Sequence, residues 1–414
     1  MKFCLALLLA LMGAAGPVRS AARDLTVSAG SAGDFRTIQA AVDAVPAENR
    51  ERVVIFIRNG AYREQVRIHN SFLTLRGEDR KQTRIVAAVD SSACPVKPGV
   101  SVEEHCATVI AEGTDLVFEN LTVENPVQPG RGKGAALAVV GDSTRSVIAN
   151  VDVIGYGGDT LVLSARRSQR DAGADYYLNH VYVSGTYHIM VPRGATYVVN
   201  SSFWCLGGTP MCLFSEGITR PTDKLVIRNS VIAGPEPFGL GSYFRDAAWY
   251  FIGDTISGKL RSDGQIRRVP AANYQMKWGE GRVYFADNQA PDYPWLKDNI
   301  AQSPAKSAAT VTAAWSLPGW DPENPAGPAI ERVEESAGQF RVVFSESVTV
   351  RGTPRLQLAS GAPAAYVGGS GSETLTFRAP HPGRAKKLDL QGGAIFASAA
   401  SWHERNANLT LRIE

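Results

Sequence analysis

The chain has almost no excess of charge of either sign: 43 Lys and Arg face 40 Asp and Glu. A nearly neutral surface gives no electrostatic case for nucleic acid or an anionic membrane as partner. Histidine and cysteine are also scarce, at six and five in 414 residues. No cysteine pair has the short spacing of a zinc site. No cluster of carboxylates offers the oxygen cage that calcium takes. Neither a metal nor a cofactor is expected. Long apolar runs are missing as well. The apolar stretch "CLALLLALMGAAG" near the start is too short to span a bilayer, so membrane insertion is not expected. No long amphipathic helical pattern separates the apolar segments, which excludes leucine-rich and ankyrin-like architectures.

The early apolar stretch has another meaning. Lys2 precedes it and Ser20-Ala21-Ala22 follows it. That is the pattern of a secretory signal over residues 1–22. Removing Lys2 and Arg19 with it lowers the formal net charge from +3 to about +1. The expected location is secreted, periplasmic or at the cell surface. An exported chain can form disulfides. Cys94, Cys106, Cys205 and Cys212 remain, with three pairings open. The local one, Cys94–Cys106 with Cys205–Cys212, is favoured because each bridge would staple a short loop.

A repeat fills the middle of the chain. "LVFENLTVEN", "VIANVDVIG", "YLNHVYVSG", "YVVNSSFWCLG" and "LVIRNSVIAG" each read apolar run, Asn, then alternating apolar residues. The Asn positions are 120, 150, 179, 200 and 229, and Gly253 replaces Asn in "WYFIGDTISG". Such intervals mark a solenoid, and β-branched alternation makes each segment a strand. The fold class expected is all-β: a right-handed parallel β-helix, its Asn residues forming a ladder at a bend. In "DFRTIQAAVDAV", Ile38, Ala41, Val42 and Val45 share one helical face and Pro46 stops the helix. This helix would cap the open end of the first coil.

From about residue 301 the composition turns to Ala, Ser and Pro and reads as a tail plus linker. Past it come short alternating segments such as "FRVVFSESVTV", "PRLQLAS", "ETLTFRA" and "LTLRIE". They predict a β-sandwich of immunoglobulin type. The domains expected are the signal at 1–22, the β-helix at 23–323, a linker at 324–329 and the sandwich at 330–414. The sandwich would serve as a spacer or tether, with carbohydrate binding as the alternative.

Asp159 and His188 are the candidates for chemistry. They lie 29 residues apart, as do Asn150 and Asn179. Equivalent points of neighbouring coils are about 4.8 Å apart. The repeat therefore predicts a carboxylate beside an imidazole, two groups that shift each other's titration. Arg193 adds a cation nearby. "SYFRDAAWYF" brings Ser242, Tyr243, Phe244, Arg245, Asp246 and Trp249 on a later coil. Tyr156, Trp204 and Trp278 are further aromatic candidates for stacking on sugar rings.

At these residues the sequence resembles the pectin methylesterases, from about Leu25 to Trp320. "DFRTIQAAVDAVP", "GAYREQVRI" with Gly60, Tyr62 and Glu64, and "LTLRGE" follow the family's start. "GDTL" is similar to the family's Q-D-T-L segment, "GTYHIMVPRGATYVVNSSF" to its G-T-V-D-F-I-F-G segment, and "FGLGSYFRDAAWYFI" to its L-G-R-P-W region. The resemblance implies a parallel β-helix enzyme that hydrolyses methyl esters of pectin; a monomer is expected. In such enzymes one Asp is general acid, a second Asp is nucleophile, an Arg holds the nucleophile and Gln residues support the oxyanion. Asp159 matches the acid. His188 stands at the nucleophile, Ser242 at the Arg, Lys133 at one Gln, and Gly158 at the other with Gly157 as an extra residue.

Three functions follow from these departures. One is an esterase in which His188 is general base to water, Asp159 orients it, and Lys133, Arg193 or Arg245 stabilises the oxyanion. A bolder form makes Ser242 the nucleophile of a Ser–His–Asp set. Another is a binder of pectin or a related polysaccharide without turnover, with Tyr156, Tyr243, Phe244 and Trp249 lining the groove. The third is an esterase for acetyl or other esters.

Overall fold

The computed structural model describes residues 24–30, 33–49, 52–90, 92, 94, 106–128, 134–140, 145–164, 173–209, 211–214, 217, 220–270, 275–317, 319–323, 328–391 and 394–397, with backbone alone at 346, 347, 351, 394, 396 and 397. The signal segment, Lys133 and "LTLRIE" lie outside these residues.

Parallel strands stack in three ladders. One runs through Leu73–Gly77, Leu116–Asn125, Arg145–Gly155, Asp175–Asn179, Ala195–Val199, Leu225–Arg228, Trp249–Ile252 and Val283–Ala286. A second joins Val66–Ile68, Ala107–Ala111, Ala135–Val139, Leu161–Leu163 and Met190–Pro192. A third links Tyr182–Gly185, Ser202–Cys205, Val231–Ala233 and Thr255–Ile256. Three parallel ladders, each visited once per turn of chain, define the right-handed parallel β-helix that the repeat predicts.

Period-two alternation sorts each coil into two columns. Phe118, Ile148, Leu178, Val198, Ile227, Phe251 and Phe285 are in register and buried along the axis. Each such side chain contributes roughly 1.5–3 kcal/mol relative to exposure. The residues one step earlier form the outer column: Val117, Val147, Tyr177, Tyr197, Val226, Tyr250 and Tyr284. The segment expected to be a loose tail covers this column. Three short 3-10 turns and the helix Ala313–Ser316 bring Val311, Ala313 and Leu317 onto the tyrosines. Trp278, Trp315 and Trp320 pack at its margin, so Trp278 serves this cover.

The bend ladder is real, with one correction. Asn120, Asn150, Asn200 and Asn229 all have left-handed backbones, with φ between 49° and 55°. In the intervening coil the left-handed residue is His180 (φ 54°), not Asn179. Asn179 pairs in register with Ala149 and Val199, one step before the bend. Asn tolerates this backbone because its short side chain bonds locally. Asn150 Nδ2 donates to Asn120 Oδ1 (2.7 Å), and Arg80 Nη1 donates to Asn150 Oδ1 (2.9 Å). Replacing Asn150 with Ala should cost about 1–2 kcal/mol, the left-handed penalty of an L-residue with a Cβ. Asn150→Gly should cost less, because glycine removes that penalty. Denaturant unfolding of both variants measures the difference.

The cap forms as expected. Ile38–Asp43 is helical, with Ile38, Ala41 and Val42 buried. Thr37 Oγ1 accepts from Ala40 N (3.2 Å), and the Glu64 carboxylate accepts from Ile38 N (2.8 Å) and Gln39 N (3.0 Å). Glu64 thus satisfies orphan amides at a positive helix end.

Beyond Ile330 the strands are antiparallel around one core that includes Phe340, Val342, Phe344, Leu356, Leu375 and Phe377. Ile330–Ser336 and Ala394–Ala397 are strands not read from the sequence. The long strand Gln339–Arg351 pairs with Ile330–Ser336 through its first half and with Ala394–Ala397 through its second. Hydrogen bonds join all seven described strands into one network.

Candidate active site

Asp159 and His188 sit where two neighbouring coils turn from one ladder to the next. Ile154 pairs with Ser184 before this corner, and Leu161 pairs with Met190 after it. The Asp159 coil therefore spends one more residue on the corner, accommodated in the Gly157-Gly158 turn. This extra residue restores an offset of 29 and sets Asp159 opposite His188. Thr160 N donates to His188 O (3.4 Å), and Leu161 N donates to Ile189 O (3.0 Å).

His188 Nδ1 lies 3.3 Å from Asp159 Oδ1, with side chains only 10% and 14% exposed. The opposite imidazole nitrogen, Nε2, is buried without a hydrogen-bond partner. A buried polar atom left unpaired costs about 1–3 kcal/mol, and such an atom in a candidate site calls for explanation. His188 also has a left-handed backbone, φ 45°. Strain of this kind, held by paired strands on both sides, concentrates at functional positions.

Glycine at 185 is what permits the close corner. A Cβ there would stand 2.2 Å from Thr160 Oγ1 and 2.9 Å from Ile189 Cγ2. Those two residues directly follow Asp159 and His188 in the chain. Thr160 Oγ1 is buried and unpartnered.

Two aromatic rings pack on the imidazole. Tyr187 is tilted over it at 3.8 Å between centroids, and Phe244 meets it edge-on at 6.5 Å. Burial, with the Asp159 charge as a further cause, pushes the Tyr187 phenol pKa upward. Tyr187 and Thr160 were not among the residues singled out from sequence. The signal for Tyr187 was its adjacency to His188. Thr160 could have been found only from the pairing of its coil.

Several candidates lie elsewhere. Phe214 bridges Met190 on one side and Gly241 on the other, so Ser242 belongs two coils away from the His188 coil. Two coils are about 10 Å, which puts Ser242 beyond hydrogen-bond reach of the imidazole. Its Oγ is buried and has no partner. The Ser–His–Asp set is not assembled. Ser242→Ala should leave ester hydrolysis within about twofold of wild type, since no proton path uses that hydroxyl. Initial rates on the same substrate check this.

Trp249 is fully buried in the axial core, edge-on to Phe214 and Tyr243. Tyr243 is buried too, and its hydroxyl accepts from Gly281 N (3.3 Å). Both are packing residues, not groove surface. Asp246 is a turn residue, accepting from Lys277 N and Trp278 N. Arg193 follows the far end of the strand Met190–Pro192, whereas His188 precedes it. Arg245 is half-buried beside Phe244. Tyr156 is half-buried at the same corner, its carbonyl accepting from Thr186 Oγ1 (2.6 Å). Trp204 is 37% exposed on the strand Ser202–Cys205.

The local disulfides are both present, Cys94–Cys106 and Cys205–Cys212. Ile189 N donates to Cys212 O (2.9 Å), so the second bridge anchors the coil next to His188. Among the described residues no group of His, Cys, Asp and Glu could hold a metal ion.

Fold and corner together define a parallel β-helix protein with a carboxylate–imidazole pair at a corner between two coils. The family model described as Pectinesterase matches residues 24–197, a span that contains both residues of the pair. A pectinesterase of Petunia integrifolia is 31% identical over 170 residues, 41% of this chain and 43% of that protein. Pectinesterase 31 of Arabidopsis thaliana is 25% identical over 266 residues, 61% of this chain and 77% of that protein. The chain thus spans less than half the length of the petunia relative it matches. Among solved structures, a pectin methylesterase from Erwinia chrysanthemi superposes with TM-score 0.55 at 20% identity, covering 74% of this chain and 100% of that one. One from carrot gives TM-score 0.52, also at 20% identity, covering 73% and 98%. Over residues 24–197 the chain is similar to the pectinesterases, and its β-helix is the fold of the solved pectin methylesterases.

Proposed function

We propose that the protein is an exported carboxylic ester hydrolase acting on methyl esters of galacturonan in pectin, with Asp159 and His188 at its centre. The observation that carries this is the 3.3 Å pair in a half-buried corner, its Nε2 left unpartnered. Asp159 faces Nδ1 and keeps the proton on that nitrogen, so it holds the imidazole in one tautomer, with the Nε2 lone pair free. Nε2 takes a proton from water, whose oxygen bonds to the ester carbon. The tetrahedral intermediate then breaks its bond to the methoxy oxygen, which leaves with the Nε2 proton as methanol. Because Nε2 is covered at rest, substrate entry requires a neighbouring group to move aside, and Phe244, edge-on to the imidazole, is the one assigned that movement. Arg245, next to Phe244 in the chain, is assigned the role of meeting galacturonate carboxylates. A solved family neighbour is a pectin methylesterase in complex with a hexasaccharide, which supports a polysaccharide groove.

The covered Nε2 also favours a second function: a groove that binds pectin without turnover. Methanol and acetate release from methylated and acetylated galacturonan, measured beside equilibrium binding, separates the alternatives. Methanol release lost in His188→Asn and Asp159→Asn supports the esterase. Binding without release supports the second function, and acetate release alone moves the substrate to acetyl esters. The sequence from Ile330 onward is assigned the role of a spacer or tether, following a monomeric β-helix exported by the 1–22 signal.

A further inference from the structure

We infer that the Tyr187 hydroxyl is the hydrogen-bond donor to the oxyanion in this reaction, a role that rests on the esterase function proposed above. Resemblance to the family leads one to expect side-chain amides near the scissile carbonyl. Gly158 and Lys133 stand at those positions, and Gly158 has no side chain to donate. The donor missing at Gly158 must come from elsewhere in the corner.

Tyr187 and His188 lie in the bend between the strands Tyr182–Gly185 and Met190–Pro192. Their rings lie against each other at 3.8 Å, tilted by 33°. The backbone at His188 is left-handed here, φ 45°, and the two rings sit together at this corner. The strained conformation therefore has a chemical product, a phenol beside the proposed base.

The hydroxyl is available. Among the described residues Tyr187 has ring contact with His188 but no hydrogen bond through its oxygen. Its side chain is half-buried, with the ring packed on the imidazole and part of the residue open to solvent. Burial and the nearby Asp159 charge push its pKa upward, so the phenol stays neutral and keeps its proton to donate.

The electrons balance without any further group. Water gives its proton to His188 Nε2 and its lone pair to the ester carbon. The carbonyl π pair moves onto oxygen, where the Tyr187 O–H donates a hydrogen bond without transferring its proton. The pair returns, the C–OCH₃ bond breaks, and methoxide leaves with the Nε2 proton.

Tyr187→Phe retains the ring and removes only the donor. Loss of one oxyanion donor costs about 10²–10³-fold in kcat. We expect a fall of about 10²-fold in kcat for methanol release, with KM and the thermal midpoint unchanged. Tyr187→Leu should additionally lower the midpoint, because it removes the ring packed on His188. Wild type, His188→Asn and Tyr187→Phe are assayed together on methyl-esterified galacturonan. If His188→Asn is inactive while Tyr187→Phe keeps wild-type kcat, the Tyr187 role is overturned and the esterase stands. If wild type releases no methanol, or His188→Asn releases it at the wild-type rate, the esterase centre falls and this role falls with it.

Discussion

His188→Asn should lower methanol release from methyl-esterified galacturonan by about 10³–10⁴-fold in kcat/KM, the upper range for a general base. Asparagine is the right replacement because it tolerates the left-handed backbone at φ 45°. Folding is therefore expected to survive, and the loss reports on chemistry. Asp159→Asn should fall by about 10²–10⁴-fold, since the amide no longer selects the productive tautomer. The two losses should not add. Once Nε2 cannot act as base, the group that orients it has nothing left to contribute. His188→Asp is the informative companion, because it supplies the second carboxylate expected from the family resemblance. If the imidazole is the base, His188→Asp should be as inactive as His188→Asn. Activity above wild type in His188→Asp would mean that the scaffold still runs on carboxylate chemistry and that the histidine is an impairment.

The second large effect tests how the fold holds the pair. Gly185→Ala places a methyl 2.2 Å from Thr160 Oγ1 and 2.9 Å from Ile189 Cγ2. Overpacking of this kind costs about 1–3 kcal/mol, equivalent to several degrees of thermal midpoint for a domain of this size. The activity loss should exceed what instability explains. Thr160 and Ile189 directly follow Asp159 and His188, so relief of the clash shifts the proposed catalytic pair. Misplacement by about 1 Å can cost 10²-fold. Thr160→Ala removes the struck atom, which has no hydrogen-bond partner to lose. The double variant should regain most of the stability and rate, and a coupling of about 1–2 kcal/mol in the mutant cycle would report direct contact. Independent effects of the two changes would place the clash elsewhere.

Much of this was legible in the sequence, because a solenoid writes its geometry as a repeat. β-Branched alternation identified the strands, and the 29-residue offset of Asp159 and His188 placed them side by side. The same offset at Asn150 and Asn179 was misleading. The true partner of Asn150 at the bend is His180, and the extra residue of the Gly157-Gly158 corner absorbs the difference. The pair came out right because coil pairing beyond the corner, not the Asn, decides it. Ser242 failed as a candidate because motif proximity does not count coils, and the bridge through Phe214 puts the serine two coils away from the His188 coil. Tyr243 and Trp249 look like a sugar platform in a string of letters, but alternation turns them into the core. The Ala- and Ser-rich segment after residue 301 looked like a tail because its few apolar residues have no period. Their partners are the outer tyrosines, far away in sequence. Tyr187 was hidden for a different reason: it lies in the bend between two strands, where no repeat says which way a side chain faces.

The most direct measurement is the rate of methanol release from methyl-esterified galacturonan by wild type, His188→Asn and Asp159→Asn, each shown to be folded by its thermal midpoint. Turnover by wild type, lost by several powers of ten in both variants, is the result predicted. Wild-type turnover retained in folded His188→Asn would contradict the account, because the Asp159–His188 pair could not then be the catalytic centre.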